Sequence, residues 1–156
     1  MILPAQQIRA LCAHLMKPMI YPFHERKTHE PTGMTYGLGP ASYDLTLDQE
    51  LVIGPGKFVL ASATERLSIP NMIQAKVGDK SSWARLGLQA FNTTIDPGFD
   101  GFLTLELVNH SNSVLRAARG TPIVMLEFHL LSDPTEHPYA GRYQYQPAEP
   151  VPAKVK

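Results

Sequence analysis

Cysteine is nearly absent. Cys12 is the one thiol in 156 residues, so no intramolecular disulfide can form. A single cysteine also cannot supply a cysteine-rich zinc site, and the six histidines show no metal-ligand spacing. Net charge is missing too: 14 Lys and Arg stand against 14 Asp and Glu. That balance argues against a nucleic-acid-coating protein, whose affinity comes from neutralising many phosphates. It leaves room for a local basic pocket. No apolar run reaches the ~18 residues that a membrane span requires. The N-terminus lacks a basic stretch followed by an apolar one, so no signal peptide is expected. No internal repeat is present. These absences lead to the expectation of a soluble cytoplasmic protein without membrane contact.

What is there suits one domain with one core: the chain is short and 44% hydrophobic. Residues 4–16 read as the one clear helix. Ile8, Leu11, Cys12 and Leu15 recur at helical spacing, and Pro18 stops the run. From Pro18 to Pro40 the chain is rich in Pro, Gly and His without period and reads as loop. Beyond Ser42 the pattern becomes β. Short apolar or alternating runs fall at 43–47, 51–53, 57–61, 64–69, 72–77, 102–109, 113–116 and 121–130. Gly54-Pro55-Gly56, Pro70-Asn71 and Asn112 punctuate them. Many short strands with close turn signals predict an all-β barrel or sandwich, mainly β with one N-terminal helix. The domain is expected to span 1–146. The proline-containing tail, 147–156, with Lys154 and Lys156, is expected to be extended and mobile when free.

Three segments can carry chemistry. The first interrupts the strands: Gly78-Asp79-Lys80-Ser81-Ser82-Trp83-Ala84-Arg85-Leu86-Gly87-Leu88. Asp79 or Ser81 could cap a short helical turn that Gly87 ends. On that turn Ser81 and Arg85 project the same way. With Lys80 and Ser82 they assemble hydroxyls, an ammonium and a guanidinium into a phosphate cradle. The plain alternative is a capped helix with a solvated charged face. The second is Ile95-Asp96-Pro97-Gly98-Phe99-Asp100-Gly101, a tight turn that could simply join two strands. The third is the strand after it. Leu103, Leu105 and Leu107 share one face; Phe102, Thr104, Glu106 and Val108 share the other. Glu106 is a lone carboxylate among apolar neighbours. Enclosure would raise its pKa and suit it to general acid–base work; otherwise it is an ordinary solvent-facing strand glutamate, as Glu127 beside His129 is expected to be. Trp83 and Met72 read as packing or interface.

Taken in order, these blocks carry a resemblance. Gly39-Pro40-Ala41-Ser42-Tyr43-Asp44-Leu45, the 80–88 block, the 95–101 block, Leu103-Thr104-Leu105-Glu106 and the weaker Arg142-Tyr143-Gln144-Tyr145-Gln146 together are similar to the dCTP deaminase branch of the superfamily shared with trimeric dUTPases. The resemblance covers most of the chain. It implies a distorted β-barrel or jelly-roll of the dUTPase-like (β-clip) type, a homotrimer with active sites shared between subunits, and Mg²⁺ carried on the triphosphate. It also implies roles. Glu106 matches the catalytic glutamate. Ser81, Ser82 and Arg85, with Lys80 before them, match the phosphate- and site-binding block. Asp96 matches the aspartate near the deoxyribose 3′-hydroxyl, which orients water in dUTP-hydrolysing members. Phe99 matches the aromatic under the sugar. Tyr143 and Gln146 match the segment that closes over the nucleotide.

The implied reaction is zinc-independent hydrolytic deamination of dCTP to dUTP and ammonia. The chain lacks the His-x-Glu and Pro-Cys-x-x-Cys of zinc-dependent nucleotide deaminases. Two rivals stand beside it: a dUTPase or bifunctional enzyme giving dUMP and pyrophosphate, and a non-catalytic nucleotide-binding trimer. The sequence also departs from the family pattern. Lys80 stands where many relatives carry arginine, the 89–94 stretch has no histidine, and Tyr145 replaces a frequent glycine of the tail motif.

Overall fold

A computed structural model describes residues 1–14 and 16–155; the expectations for Leu15 and Lys156 lie outside the described residues. The chain is mostly β, as expected. Helix α1 (Ala5–Cys12) leads into β1 (Ile20–Tyr21), β2 (Lys27–His29), β3 (Met34–Leu38), β4 (Tyr43–Thr46), β5 (Leu51–Ile53), β6 (Phe58–Ser68) and β7 (Ile73–Asp79). The short helix α2 (Ser81–Ala84) precedes β8 (Leu88–Ala90), β9 (Thr94–Ile95), β10 (Asp100–Asn109), β11 (Leu115–Ala117) and β12 (Pro122–Leu130). A six-stranded sheet runs β2-β3-β4-β12-β7-β9, a four-stranded one runs β1-β6-β10-β8, and β11 pairs with β5.

Alternation explains the core. From Gly101 onward the burial pattern of β10 alternates, with Leu103, Leu105 and Leu107 buried and Thr104, Glu106 and Val108 half-buried. The inner leucines join Leu45, Leu67, Leu126 and Phe128, all buried. At roughly 25 cal/mol per Å² of apolar surface, each such side chain stabilises the fold by about 1.5–3 kcal/mol. Ile8 and Cys12 close one end of the core from α1, and burial pushes the Cys12 thiol pKa up to about 12. That places it in packing rather than thiolate chemistry.

The structure corrects several local expectations. The 18–40 segment is not all loop: it contains β1 and the β2–β3 hairpin, in which Lys27 pairs with Tyr36 and His29 with Met34. These strands are exposed or half-buried over most of their length, so they need no apolar period. The expected strands 57–61 and 64–69 are one strand, β6. Its register against β10 slips where the break was expected: Phe102 faces Arg66 and Thr104 faces Ser62. Ala63, Thr64 and Glu65 therefore oppose Leu103 alone, a bulge that bends the strand without ending it. Helix α2 is capped by neither Asp79 nor Ser81. Lys80 is its N-cap, with no side-chain cap bond, and Asp79 Oδ1 instead accepts the Ala90 N–H at 2.8 Å. Gly87, at φ +88°, ends the turn as expected.

Candidate active site

Strand β10 sets the site. It lies between β6 and β8, with its leucine face in the core and the Glu106 face turned outward. Leu60 stands directly across from Glu106, and Phe58 across from Val108. Phe91 donates its N–H to the Glu106 carbonyl at 3.0 Å. Glu106 is thus a carboxylate in an apolar frame, and burial raises its pKa above the usual carboxylate range.

A cavity of about 500 Å³ opens on this face, within the range that holds small-molecule ligands. Five of the nine expected site residues line it: Asp96, Phe99, Glu106, Tyr143 and Gln146. Asp96 reaches the wall from the 95–101 turn. That turn closes through Phe99 N–H donating to the Asp96 carbonyl at 3.1 Å, with Gly98 at φ +89°. A Cβ on Gly98 would lie 2.7 Å from Pro138 Cβ and 2.9 Å from Tyr139 N, so glycine answers both backbone conformation and close approach. Phe99 is buried and packs against Tyr139, ring centroids 6.0 Å apart.

The C-terminal segment is docked on the same turn. Tyr145 N–H donates to the Asp100 carbonyl at 2.7 Å, and Phe102 N–H to the Gln146 carbonyl at 3.1 Å. Gln144 accepts the Asp100 N–H at 2.9 Å and donates to the Gly98 carbonyl at 2.9 Å. Asp100 itself is buried, held by Ser68, Arg66 and Lys17. Thr104, two residues from Glu106 on its face, donates to Gln146 Oε1 at 3.2 Å and accepts the Val151 N–H at 2.9 Å. Val151, Pro152 and Ala153 complete the cavity wall.

The other four expected residues stand elsewhere: none of Lys80, Ser81, Ser82 and Arg85 lines this cavity. They belong to α2 and its two ends, the segment that links β7 of one sheet to β8 of the other. Trp83 pins the turn by donating Nε1–H to the Pro122 carbonyl at 2.7 Å. Ser81 and Arg85 are exposed and Ser82 is half-buried. Lys80 is buried, its Nζ 2.6 Å from Asp44 Oδ2. Glu127, half exposed, lies 3.6 Å from His129 and takes no part. Sequence reasoning, which expected sites shared between subunits, did not say which of these residues stand apart from the cavity. It also missed Thr104 and Tyr139 as lining residues, and the tail beyond 147. Thr104 was discoverable, since it shares the Glu106 face.

Among the described residues no three His, Cys, Asp or Glu side chains converge as a metal-binding group. No described helix is long and apolar enough to cross a membrane.

Comparison with known proteins decides the family. A family model described as dCTP deaminase-like matches residues 47–131. A dCTP deaminase of Pyrococcus horikoshii is 32% identical over 150 residues, 92% of each chain. The chain belongs to the dCTP deaminase-like family. A "dCTP deaminase, dUMP-forming" of Kocuria rhizophila is 42% identical over 106 residues, 64% of this chain and 55% of that protein. The match thus spans little more than half of that relative's length. The solved 2′-deoxycytidine 5′-triphosphate deaminase of Agrobacterium tumefaciens superposes with a TM-score of 0.67 at 20% identity, covering 83% of this chain and 48% of that one. At that identity the likeness speaks to the fold, and it agrees with the expected dUTPase-like architecture.

Proposed function

We propose that the protein is a cytoplasmic, zinc-independent dCTP deaminase that works as a homotrimer. The observation that carries this reading is the position of Glu106: a half-buried carboxylate of raised pKa in a ligand-sized cavity with Asp96 and Phe99. Glu106 takes a proton from water as its oxygen bonds to C4 of cytosine, and N3 is protonated. Glu106 supplies that N3 proton from the one it took, then takes the second proton from the new C4 hydroxyl and delivers it to the C4 amine; the C–N bond breaks as C4=O forms, and dUTP and ammonia leave. Asp96 receives the 3′-hydroxyl, Phe99 underlies the sugar, and Tyr143 and Gln146 close the site.

Among the described residues the cavity lining contains two carboxylates and no cation, a poor environment for a triphosphate by itself. In the proposal a neighbouring subunit brings its Ser81, Ser82 and Arg85 against it, with Lys80 standing behind them on Asp44. Arg85 then offsets developing negative charge. Mg²⁺ would arrive with the triphosphate and offset part of its charge; among the described lining residues Asp96 and Glu106 are the carboxylates that could face it.

A dUMP-forming course is the second reading. The Kocuria relative's name supports it, as does Asp96, which is exposed and shares the cavity with Glu106. Chromatography after incubation with dCTP and Mg²⁺ separates the courses: dUTP and ammonia, or dUMP and pyrophosphate. Absence of both products leaves a non-catalytic nucleotide-binding trimer. Shared sites have their own test. Glu106→Gln and Arg85→Ala variants, each inactive alone, should regain activity when co-expressed. Roughly a quarter of sites would combine both wild-type halves in a randomly mixed cyclic trimer. Mixed trimers without activity would place both residues in one subunit's site.

A further inference from the structure

The two sides of the cavity differ in chemistry. Strand β10 carries Glu106 between β6 on one side and β8 on the other. From β6 come Phe58 and Leu60, both in the lining, with Leu60 across from Glu106 and Phe58 across from Val108. Phe91 continues this apolar wall past Glu106: its ring meets that of Phe58 edge-on, centroids 6.1 Å apart. The side chains of this wall present carbon alone. Beyond β8, Thr93 and Thr94 bring hydroxyls to the lining. Phe58 and Phe91 are 54% and 48% exposed, so much of each ring is left uncovered beside a ligand-sized space.

A cytosine ring also has two unlike edges. C2=O and N3 require hydrogen-bond partners, whereas C5 and C6 carry only hydrogen. With the sugar at Asp96 and Phe99 and C4 at Glu106, the N1–C4 axis is set, and the one choice left is which edge faces β6. Turning C2=O and N3 toward Leu60 and Phe58 would desolvate them without donors. The C5–C6 edge belongs on the β6 side, and the polar edge on the threonine side. C5 is bonded to C4, so a group on C5 lies beside Glu106 and meets Leu60 and Phe58.

We propose that the enzyme takes cytosine deoxynucleotides carrying a small apolar group at C5, and that it converts 5-methyl-dCTP and water to dTTP and ammonia. The inference rests on the proposed function and extends its substrate class. Bond changes are those of dCTP: the water oxygen joins C4, the C4–N bond breaks, and the methyl group is untouched. A methyl buried on this wall is worth roughly a 4-fold gain in binding.

Initial rates with dCTP, 5-methyl-dCTP and 5-hydroxymethyl-dCTP, followed by product chromatography, test this. The expected KM for 5-methyl-dCTP is about 4-fold below that for dCTP. The product is dTTP, or dTMP and pyrophosphate on the dUMP-forming course. The hydroxymethyl nucleotide should have a kcat/KM roughly 10-fold below the methyl one, since its hydroxyl meets carbon on that side. Phe58→Ser should narrow that gap; if the variant does not fold, the wild-type comparison decides by itself. A kcat/KM for 5-methyl-dCTP below about a tenth of that for dCTP overturns the inference while leaving the proposed function standing. Equal handling of the methyl and hydroxymethyl nucleotides, or a gap unchanged in folded Phe58→Ser, overturns it too. If the wild-type chain converts neither dCTP nor dUTP, the proposed function has failed, and calorimetric titration then decides: binding of 5-methyl-dCTP at least as tight as dCTP supports the apolar wall, and weaker binding removes it.

Discussion

Glu106→Gln isolates proton transfer from everything else the side chain does. Glu106 makes no side-chain hydrogen bond to another described residue, so the substitution breaks no structural contact. Burial disfavours its charged form, and glutamine carries no charge, so stability should be equal or slightly higher at neutral pH. Gln keeps the length and an acceptor oxygen facing the cavity, and dCTP binding should persist. What it cannot do is move a proton between water and amine. Loss of general acid–base catalysis is worth ~10²-fold or more in turnover, about 2.7 kcal/mol of barrier. In the wild type the carboxylate must be ionised to accept the first proton. The acid limb of kcat should therefore lie above the ordinary glutamate range, in the direction burial shifts Glu106, and vanish in Glu106→Gln. The assay is dCTP turnover with product chromatography across pH, beside thermal melting and calorimetric binding. Near-normal turnover with binding intact would refute Glu106 as the base and move the chemistry to Asp96.

Three further outcomes are expected. Glu65 is buried, with its pKa pushed up to about 7 by burial against hydrogen bonds from the Thr46 N–H and hydroxyl. The native state thus holds its proton longer than the unfolded chain. The associated stability is complete below about pH 4.5 and is lost by about pH 7, a change of about 3 kcal/mol. Urea titrations should show this decline in the wild type and a flatter profile in Glu65→Gln; parallel profiles would reject the assignment. Gly101→Ala should loosen the docked tail, because Gly101 sits at φ +148° and a Cβ there would lie 2.7 Å from Gln146 N. A loss of about 1–3 kcal/mol is expected, together with a raised KM for dCTP, and an unchanged urea midpoint and KM would contradict it. Finally, CTP should be a far poorer substrate than dCTP, because a 2′-hydroxyl over the buried Phe99 ring has no partner; comparable kcat/KM values would displace Phe99 from beneath the sugar.

The fold was legible wherever one face of a strand is buried. Alternation in β10 located Glu106 and its leucine backing from spacing alone, and the 95–101 turn followed from Asp-Pro-Gly chemistry. It was not legible in β2 and β3, where main-chain pairing holds a hairpin that is exposed or half-buried over most of its length and no apolar period is required. The partition of the site was illegible for another reason. Local sequence places Lys80, Ser81, Ser82 and Arg85 on one turn, but whether that turn meets Glu106 depends on how two sheets curl together. Lys80 shows the limit most directly: its composition-level reading is a free cation, and Asp44, thirty-six positions earlier, determines what the ammonium meets.

The two glutamates of the four-stranded sheet face opposite ways, Glu65 into the core and Glu106 into the cavity. Glu106 lies in unbroken alternation, so its face and neighbours follow from counting by two. Glu65 lies in the bulge, where three residues of β6 oppose Leu103. The two extra residues keep the parity of the strand, so Glu65 stays on the inner face with Ala61, Ala63 and Leu67, and there it meets the Thr46 donors. A carboxylate turned inward must find donors or take up a proton; Glu65 does both. Glu106 faces an open cavity and has no such bonds to another described side chain. The fully buried group is thus the one satisfied by structure, whereas the half-buried group retains an unfilled hydrogen-bonding demand. For a residue that must exchange protons with a substrate, that unfilled demand is the more informative property, and it favours Glu106 over Glu65 as the catalytic group.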